Sequence, residues 1–519
     1  MSELSGADTA WLLTSSAMVL LMVPGLALFY AGMVRAKNVL STMMYSMVAV
    51  AIIGVEWVTV GYSLAFGDDV GGLGLIGWSW DFVALSGVKP AQLWPDTGVP
   101  IYLHAMFQGM FAIITPALIS GALAERVRFS RYCLFVAAWG LLVYAPVAHW
   151  VWHPQGWLFT LDALDFAGGT VVHVAAGASA LVAVLLLPRR VGFPERPVHP
   201  SSAANTLLGA GLLWFGWFGF NGGSALGANV SATLAFTVTQ CAAAAGALAW
   251  SLAEWRLHGK PTAIGFASGA VAGLVGITPA AGFVSPAAAL LIGGFTAVCC
   301  LAAVAWMTRL GVDDSLDAFG VHGVGGAIGA LLTGVFASKA LYNPEAGGGL
   351  LADGNWHQLG VQALGVVATV AFAAPLTAAL VRLLNRDGCF VVDVAEQEAG
   401  LDRLSHGEAA YDLGADVVTV LDVEPKTAAA PPVVVTHLVR VKDLSPAAVS
   451  ERWQALCESS EPPAAFTAIY SSVARLTEGV FRVVGGDEQE VLANLSSLFE
   501  GHSLDLGPSE VLRVERRVA

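Results

Sequence analysis

The stretch Asp-Phe-Ala-Gly-Gly-Thr-Val-Val-His at residues 165–173 recurs in outline as Asp-Ser-Leu-Asp-Ala-Phe-Gly-Val-His at residues 314–322. In both stretches an Asp lies eight residues before a His, and a Gly lies four residues after that His, at positions 177 and 326. Each stretch opens a long apolar segment, and an ionisable side chain in such surroundings usually has a function. The repeat indicates that the chain consists of two related halves.

Eleven apolar segments are each long enough to cross a hydrocarbon core about 30 Å thick. We place them near residues 9–33, 39–66, 100–123, 130–151, 166–188, 202–221, 228–255, 262–281, 286–309, 317–338 and 358–384. The two histidines lie in the fifth and tenth segments, which enter the membrane from opposite faces. This order predicts an all-α membrane protein with inverted 5+5 pseudo-symmetry and a substrate site near the midplane. At a rise of about 1.5 Å per residue, each His lies roughly 12 Å deeper than its Asp.

The composition and the loop charges support a membrane location. Hydrophobic residues make up 56% of the chain and charged residues only 12%, against about 25% charged residues in soluble domains. Two basic residues, Lys89 and Lys339, lie in one alternate set of loops. Thirteen lie in the other: Arg35, Lys37, Arg126, Arg128, Arg131, Arg189, Arg190, Arg196, Arg256, Lys260, Arg309, Arg382 and Arg386. This bias predicts an inner-membrane protein with its N-terminus outside and its C-terminus in the cytoplasm.

The last quarter of the chain has a different character. The net charge is −14, and the residues from Asp387 onward hold 22 acidic against 10 basic side chains, which argues against a nucleic-acid partner. We assign residues 1–386 to the membrane domain and residues 387–431 to a cytoplasmic tail and linker. Residues 432–519 read as strand–helix–strand–strand–helix–strand, which predicts a small soluble ferredoxin-like α+β domain.

The paired histidines, His173 and His322, are the strongest candidates for function. Neutral imidazole donates a hydrogen bond from one nitrogen and accepts one at the other, so a facing pair can line a narrow apolar path. Two neutral core histidines are the alternative, which the pseudo-symmetric depth disfavours. Asp165 and Asp314 precede helix starts, where they can cap the helix or supply negative charge to a vestibule, and for Asp165 the two roles are compatible. For Asp314 we expect the cap.

Aromatic side chains cluster towards the outer face. Phe107, Phe111, Trp152 and Phe220 come from three segments and converge on one mouth, where Ser224 follows a helix break. Aromatic faces attract small cations by about 2 kcal/mol or more when water is excluded. An interfacial belt would explain Trp152 alone but not the convergence. The six cysteines form no CxxC pair, and we expect no metal site, no cofactor and no enzyme activity.

Several longer motifs resemble the ammonium transporter (Amt/Mep/Rh) family, from the N-terminus to about Gly414. They are PGLALFYAGMVRAKN (24–38), FQGMF (107–111), GALAERVRFS (121–130), DFAGGTVVHVAAG (165–177), WFGFNGGS (217–224), DDSLDAFGVHGVGG (313–326) and EQEAGLDRLSHGEAAY (396–411). The resemblance implies a homotrimer with eleven spans and one pore per subunit. It also implies that ammonium or ammonia is the substrate and that a PII-type signalling protein docks on the cytoplasmic face.

The resemblance also implies roles for the candidate residues. It assigns an outer recruitment site to Phe107, Trp152 and Ser224, and a phenyl gate to Phe220 with Phe111 or Phe107. It assigns the pore and proton relay to His173 and His322, and the structural acid to Asp165.

Three other functions compete with transport as interpretations of the sequence. An ammonium sensor would signal through the C-terminal region and carry little flux. A gas channel of the Rhesus kind is disfavoured by the Trp152 and Ser224 site. Haem ligation by two histidines is disfavoured because neighbouring spans crowd the pair.

Overall fold

The structure is a computed structural model that describes residues 3–195, 198–342 and 348–411, and after them only five strands and Ala455. The chain divides into two compact units, Met1–Tyr411 and Asp412–Ala519. The first unit thus includes residues 387–411 of the predicted cytoplasmic tail.

Long helices dominate the described part of the first unit. They are α1 (Gly6–Met33), α2 (Ala36–Phe66), α3 (Ile101–Leu123), α4 (Phe129–Trp152), α5 (Gly169–Leu186), α6 (Ala203–Gly223), α7 (Val230–His258), α8 (Ala263–Ala280), α9 (Pro286–Arg309), α10 (Phe319–Phe336) and α11 (Trp356–Leu384). Among the described residues, ten of these helices are long and apolar enough to cross a membrane. Helix α6 is the exception, since its Gly, Asn and Trp residues make its 21 residues less apolar.

The segment 67–100 between α2 and α3 covers one end of the bundle. It contains a two-stranded antiparallel hairpin, β1 (Asp68–Asp69) with β2 (Gly77–Trp78). It then brings Trp94 against the start of α3, where Trp94 lies parallel to the ring of His104 at 4.0 Å between centroids.

Glycines let α5 and α10 cross in direct contact. A Cβ atom at Gly177 would lie 2.2 Å from the Cα of Gly323, and one at Gly326 would lie 2.8 Å from the Cβ of His173. These two glycines are the ones that follow each His by four residues. Small residues permit such close approach between membrane helices, so the repeated glycines bring the two histidines together.

Both histidines lie in wide π-helical turns at the start of their helices. The turns are Gly169–Val174 in α5 and Phe319–Gly323 in α10. Such turns, with i to i+5 hydrogen bonds, are rare and often occur at functional sites. The two halves thus share an irregular backbone feature as well as a sequence pattern.

Buried charges hold the loops that precede α10 and follow α5. Arg190 donates to the Asp313 carboxylate at 2.7 Å and to Glu125 at 3.1 Å. Burial by itself would raise the pKa of Glu125, but the charges of Arg190 and Arg35 outweigh it and hold that pKa below its ordinary value. Burial likewise opposes ionisation of Asp313, and the hydrogen bond from Arg190 and the charge of Arg126 hold its pKa low.

Residues 387–411 are bound to the start of α2 and to the loop between α3 and α4. Asp402 is buried and accepts hydrogen bonds from the backbone N–H groups of Leu40 (2.9 Å) and Ser41 (2.7 Å), so it caps the first turns of α2. Glu396 makes a two-pronged ion pair with Arg128 at 2.6 and 2.7 Å. These contacts explain why residues 387–411 belong to the first compact unit.

The second unit contains an antiparallel sheet of five strands, β3 (Val433–Val441), β4 (Val473–Thr477), β5 (Val480–Val484), β6 (Leu504–Leu506) and β7 (Glu510–Arg513). The order is β4-β5-β3, with β6 and β7 pairing with opposite ends of β3 on its other edge. Four of these strands overlap the strands that the sequence predicts at 433–441, 466–476, 479–486 and 509–518, and β6 was not predicted. The predicted helices at 446–458 and 487–500 lie outside the described residues except for Ala455, and the linker at 412–431 lies outside them entirely, so the ferredoxin-like fold stays a prediction.

Replacing Gly177 by Ala is expected to force α5 and α10 apart, because the new methyl group would overlap the backbone of Gly323. Overpacking of this kind costs about 1–3 kcal/mol, and we expect a lower melting temperature of the detergent-solubilised protein. Gly360 in α11 is the matched control, since nothing lies within 4 Å of a Cβ atom there. Its replacement by Ala should stabilise by up to about 1 kcal/mol, and equal behaviour of the two variants would contradict the contact.

Replacing Glu125 by Gln should destabilise the protein by about 3–5 kcal/mol at neutral pH, because it leaves buried arginine charge uncompensated. The control is Asp387→Asn, which breaks a partly exposed pair with Arg131 and should change the melting temperature little. The contribution of Glu125 is present above the ordinary Glu pKa of 4.5 and is lost as the pH falls through its lower folded pKa. The melting temperatures of wild type and variant should therefore differ at neutral pH and converge only as the pH falls below 4.5 through the lower folded pKa of Glu125; a difference that stays constant with pH would contradict the assignment.

Candidate functional site

His173 and His322 lie against each other in the centre of the first unit. Their Nδ1 atoms are 3.3 Å apart, and the rings lie nearly parallel, at 17° with 5.3 Å between centroids. One Nδ1 must donate and the other accept for this contact to be a hydrogen bond, so the two rings cannot both be imidazolium. The meeting of the two imidazoles that the sequence predicts is therefore present in the structure.

A narrow cavity runs beside the histidine pair. Its other walls are apolar or aromatic side chains: Met22, Leu26, Phe29, Ile114, Leu118, Val172, Leu213, Trp217, Phe220 and Val271. The volume of this cavity is about 10 Å³, which is enough for roughly one molecule the size of water. The Nε2 atom of His173 is buried and has no hydrogen-bond partner among the described residues.

Trp217 positions the ring of His173, and the sequence analysis did not single it out. The indole lies at 5.5 Å and 22° from the imidazole, and its Nε1 donates to the hydroxyl of Thr278 in α8 at 2.8 Å. The only sequence signal was its place in the WFGFNGGS motif.

Two phenyl rings separate this cavity from a second pocket, which we call the outer pocket because it lies on the side that the loop charges predict to be outside. Phe111 of α3 and Phe220 of α6 have centroids 4.3 Å apart. Phe220 in turn lies 6.2 Å from the ring of His173, and Phe111 lies 5.7 Å from Trp152. The aromatic rings therefore form an unbroken series from the outer pocket to the histidines.

The outer pocket is lined by Phe66, Trp94, His104, Gln108, Phe111, Trp152, Phe166, Ser224 and Leu226. The volume of this pocket is about 110 Å³, so it is larger than the cavity beside the histidines. Trp152 is held by a 2.9 Å hydrogen bond from its Nε1 to the carbonyl of Asp165.

Residues 10–411, which are most of the chain, match the sequence model of the Ammonium Transporter Family. The chain belongs to this family. An ammonium transporter of Aquifex aeolicus is 48% identical over 416 residues, which cover 79% of this chain and 95% of that protein. An ammonium transporter of Mycobacterium bovis is 43% identical over 440 residues, covering 80% of this chain and 92% of that protein.

Solved structures agree with the sequence comparison. The crystal structure of Saccharomyces cerevisiae Mep2 superposes with a TM-score of 0.70 at 38% identity, covering 76% of this chain and 89% of that one. The described residues contain ten helices that are long and apolar enough to cross a membrane. With the family membership, they identify the chain as a multi-pass membrane protein. The resemblance drawn from the motifs is confirmed.

Phe107 does not line the outer pocket, where the resemblance places it as part of the recruitment site. Its ring is fully buried and packs on Gly223, where a Cβ atom would lie 2.6 Å from the ring. Phe107 precedes Phe111 by one helical turn and points towards the end of α6. Phe111 lines the pocket and packs against Phe220, which is the position that the resemblance leaves open between the two phenylalanines.

Both acids cap their helices. Asp165 accepts hydrogen bonds from the N–H groups of Gly168 (2.9 Å), Gly169 (2.5 Å) and Thr170 (2.8 Å). Asp314 accepts from Ala318 at 3.1 Å and Phe319 at 2.8 Å. The backbone at the start of α5 and α10 is thereby satisfied, in the same way in both halves.

A pair of buried amides on α11, which the sequence analysis missed, locks the loop that carries Asp165. Gln362 accepts from the N–H of Leu164 at 2.8 Å and donates to the carbonyls of Leu164 (2.6 Å) and Ala330 (3.2 Å). Gln358 donates to Gln362 at 3.3 Å and to the carbonyl of Asp162 at 2.9 Å. The amides therefore join α11, α10 and the loop. Two Gln residues in an apolar segment were the available signal.

Replacing Gln362 by Leu should leave the backbone groups of Leu164 and the carbonyl of Ala330 without their side-chain partner. Each unsatisfied buried group costs about 1–3 kcal/mol, so we expect a clearly lower melting temperature. The control is Gln240→Leu, which removes an exposed amide that pairs with Trp214 and should have little effect. Equal melting temperatures for both variants would show that the Gln362 contacts add nothing.

Proposed function

We propose that this protein transports ammonium across the membrane, with neutral ammonia passing the two histidines. The observation that carries the proposal is the pair of touching imidazoles in a narrow apolar cavity, closed on one side by two phenyl rings. The names of the relatives, ammonium transporters, support the same substrate.

Recruitment is proposed to take place in the outer pocket. The faces of Phe111 and Trp152 attract a small cation once water is partly excluded, by about 2 kcal/mol or more. The Ser224 hydroxyl donates to the carbonyl of Phe220 at 2.9 Å, which leaves its lone pairs free to accept from an N–H group of ammonium. The wider volume of this pocket suits an ion that still keeps part of its hydration.

Deprotonation is proposed to occur before or at the phenyl gate of Phe111 and Phe220. A bare cation in the apolar cavity beyond it would lose its hydration with few polar groups in return, whereas neutral ammonia loses far less. The proton either returns to the outside or passes separately through the histidines. Potassium is excluded because it has no proton to give up.

The two imidazoles supply the hydrogen bonds that ammonia needs inside. Ammonia accepts one hydrogen bond and donates three, and a neutral histidine pair offers both a donor and an acceptor. The free Nε2 of His173 is the group we propose to meet the substrate first.

Several larger features are proposed with this function. They are eleven spans that include α6, a homotrimer with one pore per subunit, an inner-membrane location, and an external N-terminus with a cytoplasmic C-terminus, as the loop charges favour. We propose that a PII-type protein docks on the cytoplasmic face, and that residues 432–519 form either a regulatory or sensory module or a trimer-stabilising appendage.

Replacing both His173 and His322 by Leu should abolish ammonium flux or its selectivity, because the cavity loses all its imidazole hydrogen-bonding groups. Uptake into proteoliposomes is followed as current and as internal pH change, with and without competing potassium. The control is His357→Leu, which removes an exposed His on α11 and should leave uptake unchanged. Full, potassium-insensitive uptake by the double variant would overturn the proposal. Absence of flux in the wild type, together with ammonium-dependent rearrangement of residues 387–519, would favour the sensor alternative.

A further inference from the structure

His104 is a wall of the outer pocket that neither the motifs nor the histidine repeat indicates. It lies on α3 at four and seven residues before Gln108 and Phe111, so the three side chains share one helix face. All three line the pocket. Its side chain is 1% exposed, and it is therefore a buried polar group aimed into a cavity.

The ring of His104 is held from three sides. It stacks on Trp94 at 4.0 Å and 3°, and the ring of Phe66 meets it edge-on at 5.0 Å and 89°. Its Nδ1 shares a 2.9 Å hydrogen bond with the hydroxyl of Tyr62. Among the described residues, that hydroxyl is the only hydrogen-bond partner of the imidazole, so Nε2 is left for the content of the pocket.

The Tyr62 contact lets the imidazole serve as an acceptor without moving. When Nδ1–H donates to the Tyr62 oxygen, Nε2 carries a lone pair. A cation with N–H groups in the pocket favours that tautomer, because it can donate to Nε2. We propose that His104 binds the ammonium ion of the outer pocket through Nε2, that Tyr62 positions it, and that this contact discriminates ammonium from potassium.

This inference rests on the proposed function and adds a source of selectivity to it. The aromatic faces of Phe111 and Trp152 attract any small cation, so they distinguish ammonium from potassium poorly. A fixed lone pair on a clamped ring is directional, and it is satisfied by an N–H donor. Ser224 offers a second acceptor in the same pocket, so the pocket holds both directional acceptors and the aromatic faces of Phe111 and Trp152.

The test compares His104→Leu with His153→Leu, since His153 is also a buried histidine but does not line the pocket. In proteoliposomes His104→Leu should raise the KM for ammonium about 10-fold, the effect of losing one hydrogen bond to a charged group. It should also make uptake more sensitive to potassium, with the maximal rate changed much less. His153→Leu should leave KM and potassium inhibition unchanged. An unchanged KM and unchanged potassium inhibition in His104→Leu overturn the inference while leaving the proposed function intact.

A binding measurement separates the two proposals. Trp94 and Trp152 line the pocket, so their fluorescence in the detergent-purified protein should respond to ammonium chloride more than to potassium chloride, and His104→Leu should remove that preference. A wild type that binds ammonium in this way without flux supports the His104 site and contradicts transport. Tyr62→Phe keeps the ring of His104 but removes the hydroxyl oxygen that accepts from Nδ1–H. It should weaken ammonium binding several-fold; unchanged binding in that variant overturns the inference even where His104→Leu is too unstable to purify.

Discussion

The contact between α5 and α10 is the constraint on which the rest of the structure depends. Each helix begins with an Asp cap and a wide turn, and each presents a glycine to the backbone of the other. Where the two helices approach so closely, the Nδ1 atoms of His173 and His322 lie 3.3 Å apart. The same approach leaves a cavity of about the size of one small molecule beside the rings. A cavity this narrow has no room for an ion with its hydration shell.

Several polar side chains that do not line the cavity stabilise the contact between α5 and α10. A backbone segment buried in an apolar environment must have its hydrogen bonds satisfied, and here the side chains of Asp165, Asp314 and Gln362 do so for the loop and helix starts that carry the histidines. Arg190 joins the loop after α5 to the loop before α10 through Asp313. Helices α5 and α10 are thereby fixed to each other through the loops that flank them.

The path changes in character from one end to the other. The outer pocket combines aromatic faces with His104, Gln108 and Ser224, groups that suit a partly hydrated cation. Beyond Phe111 and Phe220 the polar groups of the cavity wall are the two imidazoles and the indole of Trp217, whose N–H is already bonded to Thr278. The free energy of a charged species therefore rises steeply at the phenyl pair, while that of a neutral one changes much less. In the proposed mechanism, hydrogen-bond direction in the pocket and desolvation at the phenyl pair are therefore two separate sources of selectivity.

The sequence by itself determined the helical class, the positions of nearly all the long helices, the repeat, and the meeting of His173 with His322. These features follow from apolar segment length and from spacing along one chain, which are local properties. Only the tertiary structure decided that Phe111 and not Phe107 faces the pocket, because two phenylalanines one turn apart point in directions that the neighbouring helix end selects. The contacts of Trp217, Gln362 and His104 also came from the structure alone. Their partners are distant in sequence, and a single polar or aromatic residue in an apolar segment carries no mark of the side chain that it will meet.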